Sequence, residues 1–152
     1  MKNIIALVLI ITTVGLAGCA TTNTPVYIKS VKPQTQRFYS GHAATIAAVK
    51  LALQDLGWEV EQEADPQVYE VDSLLSAKEQ ILLITKLRET RFFLGTRYAR
   101  MNIYVWSRDE VSEVEVRYAV TTDLFLIRPR SYGNKNMARR LFERITQHLA
   151  EP

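Results

Sequence analysis

The sequence predicts an α+β domain: a two-layer sandwich with two helices on one face of an antiparallel sheet of about four strands, in the order αββββα. Two observations support this fold class. Amphipathic helical patterns lie near both ends of the domain, and two segments of alternating polar and apolar residues lie between them. The chain has 152 residues and a formal net charge of +3, which suits one domain with its own core.

The first helix is predicted from Ser40 to Gly57. Ser40 suits the N-cap, and Gly57 follows the last periodic residue, where a left-handed glycine often ends a helix. Apolar residues recur at helical spacing and form its predicted inner stripe: Ala43, Ile46, Ala47, Val49, Leu53 and Leu56. The alternating residues Trp58 to Glu61 then predict a strand.

The segment from Val68 to Arg91 is ambiguous. Residues 73–87 fit a helix, whereas the apolar run Ile81–Thr85 fits a buried strand, and periodicity alone does not decide between them. We favour a short irregular or helical piece near 66–76, followed by a strand near 80–88.

A β-hairpin is predicted next. In its first strand Met101, Ile103 and Val105 share one face, and in its second strand Val114, Val116, Tyr118 and Val120 do so. Period-two alternation on both sides of the polar turn 107–110 indicates an antiparallel pair with one buried face.

The last helix is predicted to begin after Asn134, which can act as its N-cap. Its inner stripe is apolar at helical spacing and comprises Met137, Ala138, Leu141, Phe142, Ile145 and Leu149.

The N-terminus has the pattern of an export signal. Lys2 precedes a largely apolar run from Ile4 to Gly18, which is shorter than the roughly 20 residues that span a bilayer. The run ends in Leu16-Ala17-Gly18-Cys19, and Cys19 is the single cysteine of the chain. This motif resembles the lipobox of bacterial lipoproteins over residues 1–20.

The resemblance implies a signal peptide over residues 1–18 and a mature chain that begins at Cys19. It implies a diacylglycerol on the thiol and an acyl chain on the new amine, which together form a durable anchor. Ala20 stands where the family has Asp in inner-membrane members, which implies the outer membrane, with the domain facing the periplasm or the cell surface. An ordinary secretory signal that leaves a free thiol is the alternative.

Residues 19–37 are rich in polar residues and proline, and they predict a flexible tether to a domain over residues 38–152. The apolar patch Val26–Ile28 could add an edge strand. The layout of helices and strands resembles that of small α+β envelope lipoproteins, such as the small lipoprotein subunit of the β-barrel assembly machinery.

Little in the sequence points to catalysis. The two histidines, His42 and His148, form no metal-binding motif, and neither a nucleophile elbow nor a phosphate-binding loop is present. Glu61 and Glu63 are predicted to share one strand face, where solvated carboxylates are the ordinary interpretation. We therefore expect no enzyme, no metal and no cofactor besides the covalent lipid.

Two surfaces are candidates for partner binding. Five positive charges and no acid lie between Leu124 and Phe142, and they suit an anionic partner: Arg128, Arg130, Lys135, Arg139 and Arg140. The hairpin face away from the helices predicts an exposed aromatic and arginine surface for a protein: Tyr98, Arg100, Tyr104, Trp106 and Arg117. Ordinary solvated or cross-strand-paired faces are the alternatives.

The sequence thus favours a lipid-anchored, non-catalytic structural, assembly or accessory factor that binds another envelope component. The alternative is a periplasmic module that holds an apolar molecule between helix and sheet. Nucleic acid is not an expected partner, because an export signal removes the chain from the compartment that holds it.

Overall fold

Two long strands form the centre of an antiparallel sheet in the computed structural model, which describes residues 24–29, 33–69, 79–124 and 130–150. In chain order the elements are β1 (Gln34–Phe38), α1 (His42–Asp55), β2 (Val60–Ala64), a 3₁₀ turn (Pro66–Tyr69), β3 (Glu79–Thr85), β4 (Arg88–Phe92), β5 (Gly95–Arg108), β6 (Val111–Leu124), β7 (Arg130–Tyr132) and α2 (Lys135–Ala150).

The α+β class with two helices and a large antiparallel sheet is confirmed, but the predicted strand number and element order are wrong. The sheet has seven strands in the described part of the chain, and β1 precedes the first helix. The extra strands exist because β5 and β6 have 14 residues each. The outer edge of β5 pairs with both β3 and β4, and that of β6 with both β1 and β7.

The first helix, His42–Asp55, lies within the range predicted from its N-cap Ser40 to the terminal Gly57. Gly41, and not Ser40, is its N-cap, and no side chain caps it. Gly57 has a φ of +71°, as the predicted helix end requires. Thr45, Ala48 and Ala52 are buried, whereas Ala43 and Ala47 are exposed. The buried stripe is therefore rotated slightly from the predicted one.

The last helix agrees with its prediction. The Met137 backbone N–H donates a hydrogen bond to Asn134 Oδ1 over 3.0 Å, so Asn134 is the N-cap. Ala138, Leu141 and Ile145 are buried against the sheet.

Both helices pack on the same face of the sheet and on each other. Alternate residues of β5 and β6 point into this layer, as the hairpin pattern predicts. The resulting core is apolar and includes Val49, Leu53, Trp58, Leu83, Met101, Ile103, Val105, Val114, Val116, Leu141, Phe142 and Ile145.

The opposite face of the sheet is covered by residues 24–29, which we call the strap. Ile28 is fully buried, and Tyr27 stacks on Tyr69 of the 3₁₀ turn with ring centroids 5.0 Å apart. Beneath them lies a second apolar cluster of Leu82, Ile84 and Tyr104. The strap packs across the sheet face and does not form the edge strand that Val26–Ile28 suggested.

This arrangement corrects the predicted tether over residues 19–37. Residues 24–29 belong to the folded domain, and residues 34–38 form β1, which pairs with β6 from Gln34↔Val116 to Phe38↔Ser112. The tether was predicted because these segments are mostly polar, but backbone pairing and long-range hydrogen bonds hold them. The predicted signal peptide, Cys19 and Ala20 lie outside the described residues.

Candidate functional site

The predicted protein-binding face of the hairpin is largely covered. Tyr104 has no exposed surface, and Arg100 and Arg117 are 7% and 9% exposed, while Tyr98 and Trp106 are half-buried. These residues do share one face, as their alternation predicted. Their predicted exposure is wrong, because the strap and the 3₁₀ turn lie over this face.

Arg117 is the centre of the polar contacts below the strap. Its Nε donates to Glu115 Oε1 over 2.6 Å, and its Nη1 donates to the Tyr27 hydroxyl over 3.0 Å. The same nitrogen lies 3.4 Å from the Ile28 carbonyl oxygen, and the guanidinium lies 4.4 Å from the Tyr104 ring centroid. A buried arginine with these partners ties the strap to β6.

The electrostatics of this cluster fit a structural role. Burial disfavours the charge of Arg117, but the adjacent Glu115 carboxylate raises the pKa of the guanidinium above its ordinary value. Burial also raises the pKa of the Tyr104 hydroxyl, so that group stays protonated. The cluster holds one fixed ion pair, both of whose side chains are about nine-tenths buried.

Asn102 supplies the second attachment of the strap. Its Oδ1 accepts a hydrogen bond from the Ile28 N–H over 2.5 Å, and its Nδ2 donates to the Val26 carbonyl oxygen over 3.1 Å. An asparagine side chain thus mimics a neighbouring strand for the strap backbone. The sequence placed Asn102 on the correct face, but nothing in its pattern indicated this role.

The predicted basic surface is exposed where the structure describes it. Arg130 lies on β7, and Lys135, Arg139 and Arg140 lie in the first turns of α2. Arg139 forms an ion pair with Glu143 at 2.7 Å, one turn along the helix, so an acid just beyond the basic run neutralises part of the charge. Arg128 lies outside the described residues.

The two acidic residues of β2 do not lie together as predicted. A bulge between Val60 and Gln62 places them on opposite faces of the sheet. Glu61 pairs with Arg100 at 3.0 Å on the strap face, and Glu63 pairs with Lys50 of α1 at 2.7 Å. The strand alternation could not reveal the extra residue, so the two carboxylates do not form an acid–base pair.

The histidines make contacts within the fold. His42 Nδ1 lies 2.9 Å from Ser107 Oγ, which lies 2.7 Å from Ser112 Oγ, and both serines are buried. His148 Nε2 lies 2.8 Å from Asp55 Oδ2 and links the two helices. Over the ranges described above, no group of three or more His, Cys, Asp or Glu residues could hold a metal ion.

An exposed apolar turn that the sequence patterns did not predict lies between β4 and β5, and we call it the β4–β5 tip (Phe92, Phe93 and Leu94). These side chains are 40%, 97% and 54% exposed. A shallow depression of about 520 Å³ beside them is also lined by Arg91, Thr96, Asp123 and Leu124. The available signal was the apolar triplet itself, which neither helical nor strand periodicity explains.

None of the helices in the described ranges is long and apolar enough to cross a membrane. No protein-family model matches the chain, and no curated protein matches it.

Among solved structures, the chain is similar to the vertebrate conserved region of human METTL16. The identity is 12%, the match covers 80% of this chain and 100% of that one, and the TM-score is 0.48. A similarity at this level carries no argument about this protein.

Proposed function

We propose that this protein is a lipid-anchored component of the bacterial cell envelope, with diacylglycerol and an acyl chain on Cys19. The observation that carries the proposal is the sequence Leu16-Ala17-Gly18-Cys19 directly after a short apolar run. By the same resemblance, Ala20 after the cysteine favours the outer membrane over the inner membrane, and we propose that the domain faces the periplasm.

In this location the domain acts as a non-catalytic structural, assembly or accessory factor that binds another envelope component. The dense apolar layer between helices and sheet supports this proposal over the ligand-binding alternative. Leu53, Ile103 and Leu141 fill that layer and have no exposed surface. The exposed cations Arg130, Lys135 and Arg140 remain the candidate surface for an anionic envelope partner.

Metabolic labelling with radioactive palmitate tests the anchor. The wild-type chain should incorporate label and mature to a shorter form, whereas Cys19→Ser should do neither, because a hydroxyl is a poor substitute for the thiolate nucleophile. Label on the serine variant, or an unlabelled wild-type chain, would refute the anchor.

Membrane fractionation tests the location, with Ala20→Asp as the matched variant. The wild-type protein should sediment with the outer membrane, and the aspartate variant should shift to the inner membrane. A wild-type protein in the inner membrane would contradict the assignment.

Cross-linking followed by purification from detergent-solubilised membranes tests the partner. Replacement of Arg130, Lys135 and Arg140 by Gln should remove an anionic partner without a change in melting temperature, since exposed substitutions are usually tolerated. Capture that survives the triple replacement would exclude the basic surface as the binding site.

A further inference from the structure

The β4–β5 tip carries large apolar side chains at turn positions that do not need them. Phe92 pairs with Gly95, so Phe93 and Leu94 are the two central residues of the turn. Such positions favour glycine, asparagine, aspartate or serine, which satisfy turn geometry or solvate well. Phe93 is 97% exposed and so contributes almost nothing to the core of its own domain. Its aromatic side chain suits a contact outside the chain.

The strands that lead into and out of the tip are held firmly in the sheet. At Gly95 a Cβ atom would lie 1.9 Å from the Asp123 backbone oxygen, so only glycine permits the close approach of β5 to β6 here. Strand pairing on both sides of β5 then fixes the stem of the turn. The exposed side chains of Phe93 and Leu94 are therefore carried by a turn whose stem is held in the sheet.

The charge beside the tip is weakly positive. Residues 88–97 contain three arginines and one glutamate, and Asp123 lines the depression beside the tip. Arg91 and Arg97 are exposed, and Arg91 pairs with Glu89 at 2.8 Å. Aromatic and aliphatic side chains with flanking arginines are the composition that proteins use at the interface of an anionic bilayer.

The strap keeps the tip near the membrane if Cys19 carries the anchor. Only residues 20–23 lie between Cys19 and Thr24, the first strap residue, so the Cα atoms of Cys19 and Thr24 are at most about 18 Å apart. The short connection holds the domain against the bilayer and gives weak contacts a high effective concentration.

The tip also lies close to the strap along the sheet. The Ile28 N–H of the strap bonds to Asn102, and Asn102 lies seven residues after Gly95 on β5, a distance of about 23 Å. The tip therefore lies within about one strand length of the strap, the part of the described domain nearest to the lipid along the chain.

We propose that the β4–β5 tip inserts Phe93 and Leu94 into the interfacial region of the bilayer that holds the Cys19 lipid, and so fixes the orientation of the domain. This inference rests on the proposed anchor. Three side chains are too few for a specific protein interface, which buries about 800 Å² per partner. They suffice to add apolar contact area to an anchor that already provides attachment.

Fluorescence of a site-specific label tests the proposal in the full lipidated protein, reconstituted in vesicles of phosphatidylethanolamine and phosphatidylglycerol. An environment-sensitive dye is attached to Leu94→Cys, which leaves both phenylalanines in place. The matched control carries the dye on Glu110→Cys in the exposed turn at the other end of β5. The dye at position 94 should shift to shorter emission wavelength and be quenched by brominated acyl chains, and the dye at position 110 should show neither effect.

A second substitution, Phe93→Asp, should abolish the shift at position 94 while the melting temperature stays constant. Equal, water-like emission at both positions would overturn the insertion of the tip. A shift that needs native membranes and is absent in protein-free vesicles would overturn it in favour of a protein partner. The parent protein without an added cysteine tests the anchor, because a lipidated Cys19 has no free thiol to react with the dye. Dye attached to Cys19 would refute both the proposed function and this inference.

Discussion

The two faces of the sheet are covered in different ways. The helix face carries a large apolar core supplied by two amphipathic helices. The strap face has a small apolar cluster, and its six-residue cover is attached by the side chains of Asn102 and Arg117. Burial on the first face is spread over many side chains, whereas on the second it depends on a few polar contacts.

This difference determines how each face responds to mutation. A distributed apolar core is damaged most by a buried charge, because no partner compensates for it. A polar attachment is damaged most by the loss of one member, because its partners remain buried and unsatisfied. The following comparisons use a chain that begins at Ala20, which retains every described residue.

The largest effect is expected on the helix face, from Leu141→Asp. Leu141 is fully buried between α2 and the sheet, and an unpaired carboxylate there costs several kcal/mol, enough to unfold a domain of ordinary stability. The neighbouring Arg140 is exposed, so Arg140→Asp should change the free energy of unfolding by only about 0.5 kcal/mol. Thermal melts followed by circular dichroism measure both, and similar losses would mean that α2 is rotated from its described position.

A smaller loss is expected on the strap face, from Arg117→Ala. The substitution leaves Glu115 buried without its counter-ion and removes the donor to Tyr27, at a cost of about 3 kcal/mol. Arg37 offers the control, because it pairs with Glu113 at the same 2.6 Å but its side chain is 71% exposed, against 10% for Arg117. Arg37→Ala should cost less than about 1 kcal/mol. Equal urea midpoints for the two variants would show that the strap face is open to water.

The smallest effect is a pH dependence. Burial raises the pKa of Tyr104, so the folded protein keeps the phenolic proton at a pH where the unfolded chain has lost it. The unfolded state binds fewer protons above about pH 10, and stability should fall there by up to about 1.4 kcal/mol per pH unit for this group. Tyr104→Phe should flatten the fall, and Tyr39→Phe, at a position 90% exposed, should not. Urea titrations between about pH 9 and 11 measure the slopes, and identical slopes would mean that Tyr104 is solvated.

The sequence predicted the helix face well because the apolar residues that form its core recur at regular spacing. The stripe of α2 and the alternation of β5 and β6 are repeated patterns whose apolar members meet in one layer. The strands β1 and β4 have no such pattern, since they are polar and mostly exposed, and they form by backbone pairing with longer partners.

The strap face could not be predicted in the same way. The hydrogen bond between Ile28 and Asn102 joins residues 74 positions apart and depends on one amide side chain. Such a contact produces no periodic pattern in the sequence. The hairpin alternation correctly placed Tyr104 and Arg117 on one face but did not indicate what covers it. Of the candidate surfaces, the basic residues of α2 are exposed as expected. In the sequence, the β4–β5 tip is only three consecutive apolar residues that fit neither helical nor strand periodicity.

Hydrogen exchange at the Ile28 amide tests most directly whether the strap is part of the folded domain. This N–H is buried and donates to Asn102 Oδ1, much as the Met101 N–H in the core donates to Thr85 Oγ1. If the strap closes the sheet face, the Ile28 amide should exchange as slowly as that of Met101, through global unfolding. If instead it exchanges as fast as the Phe93 amide at the exposed tip, residues 24–29 are a free tether and the strap does not exist in solution.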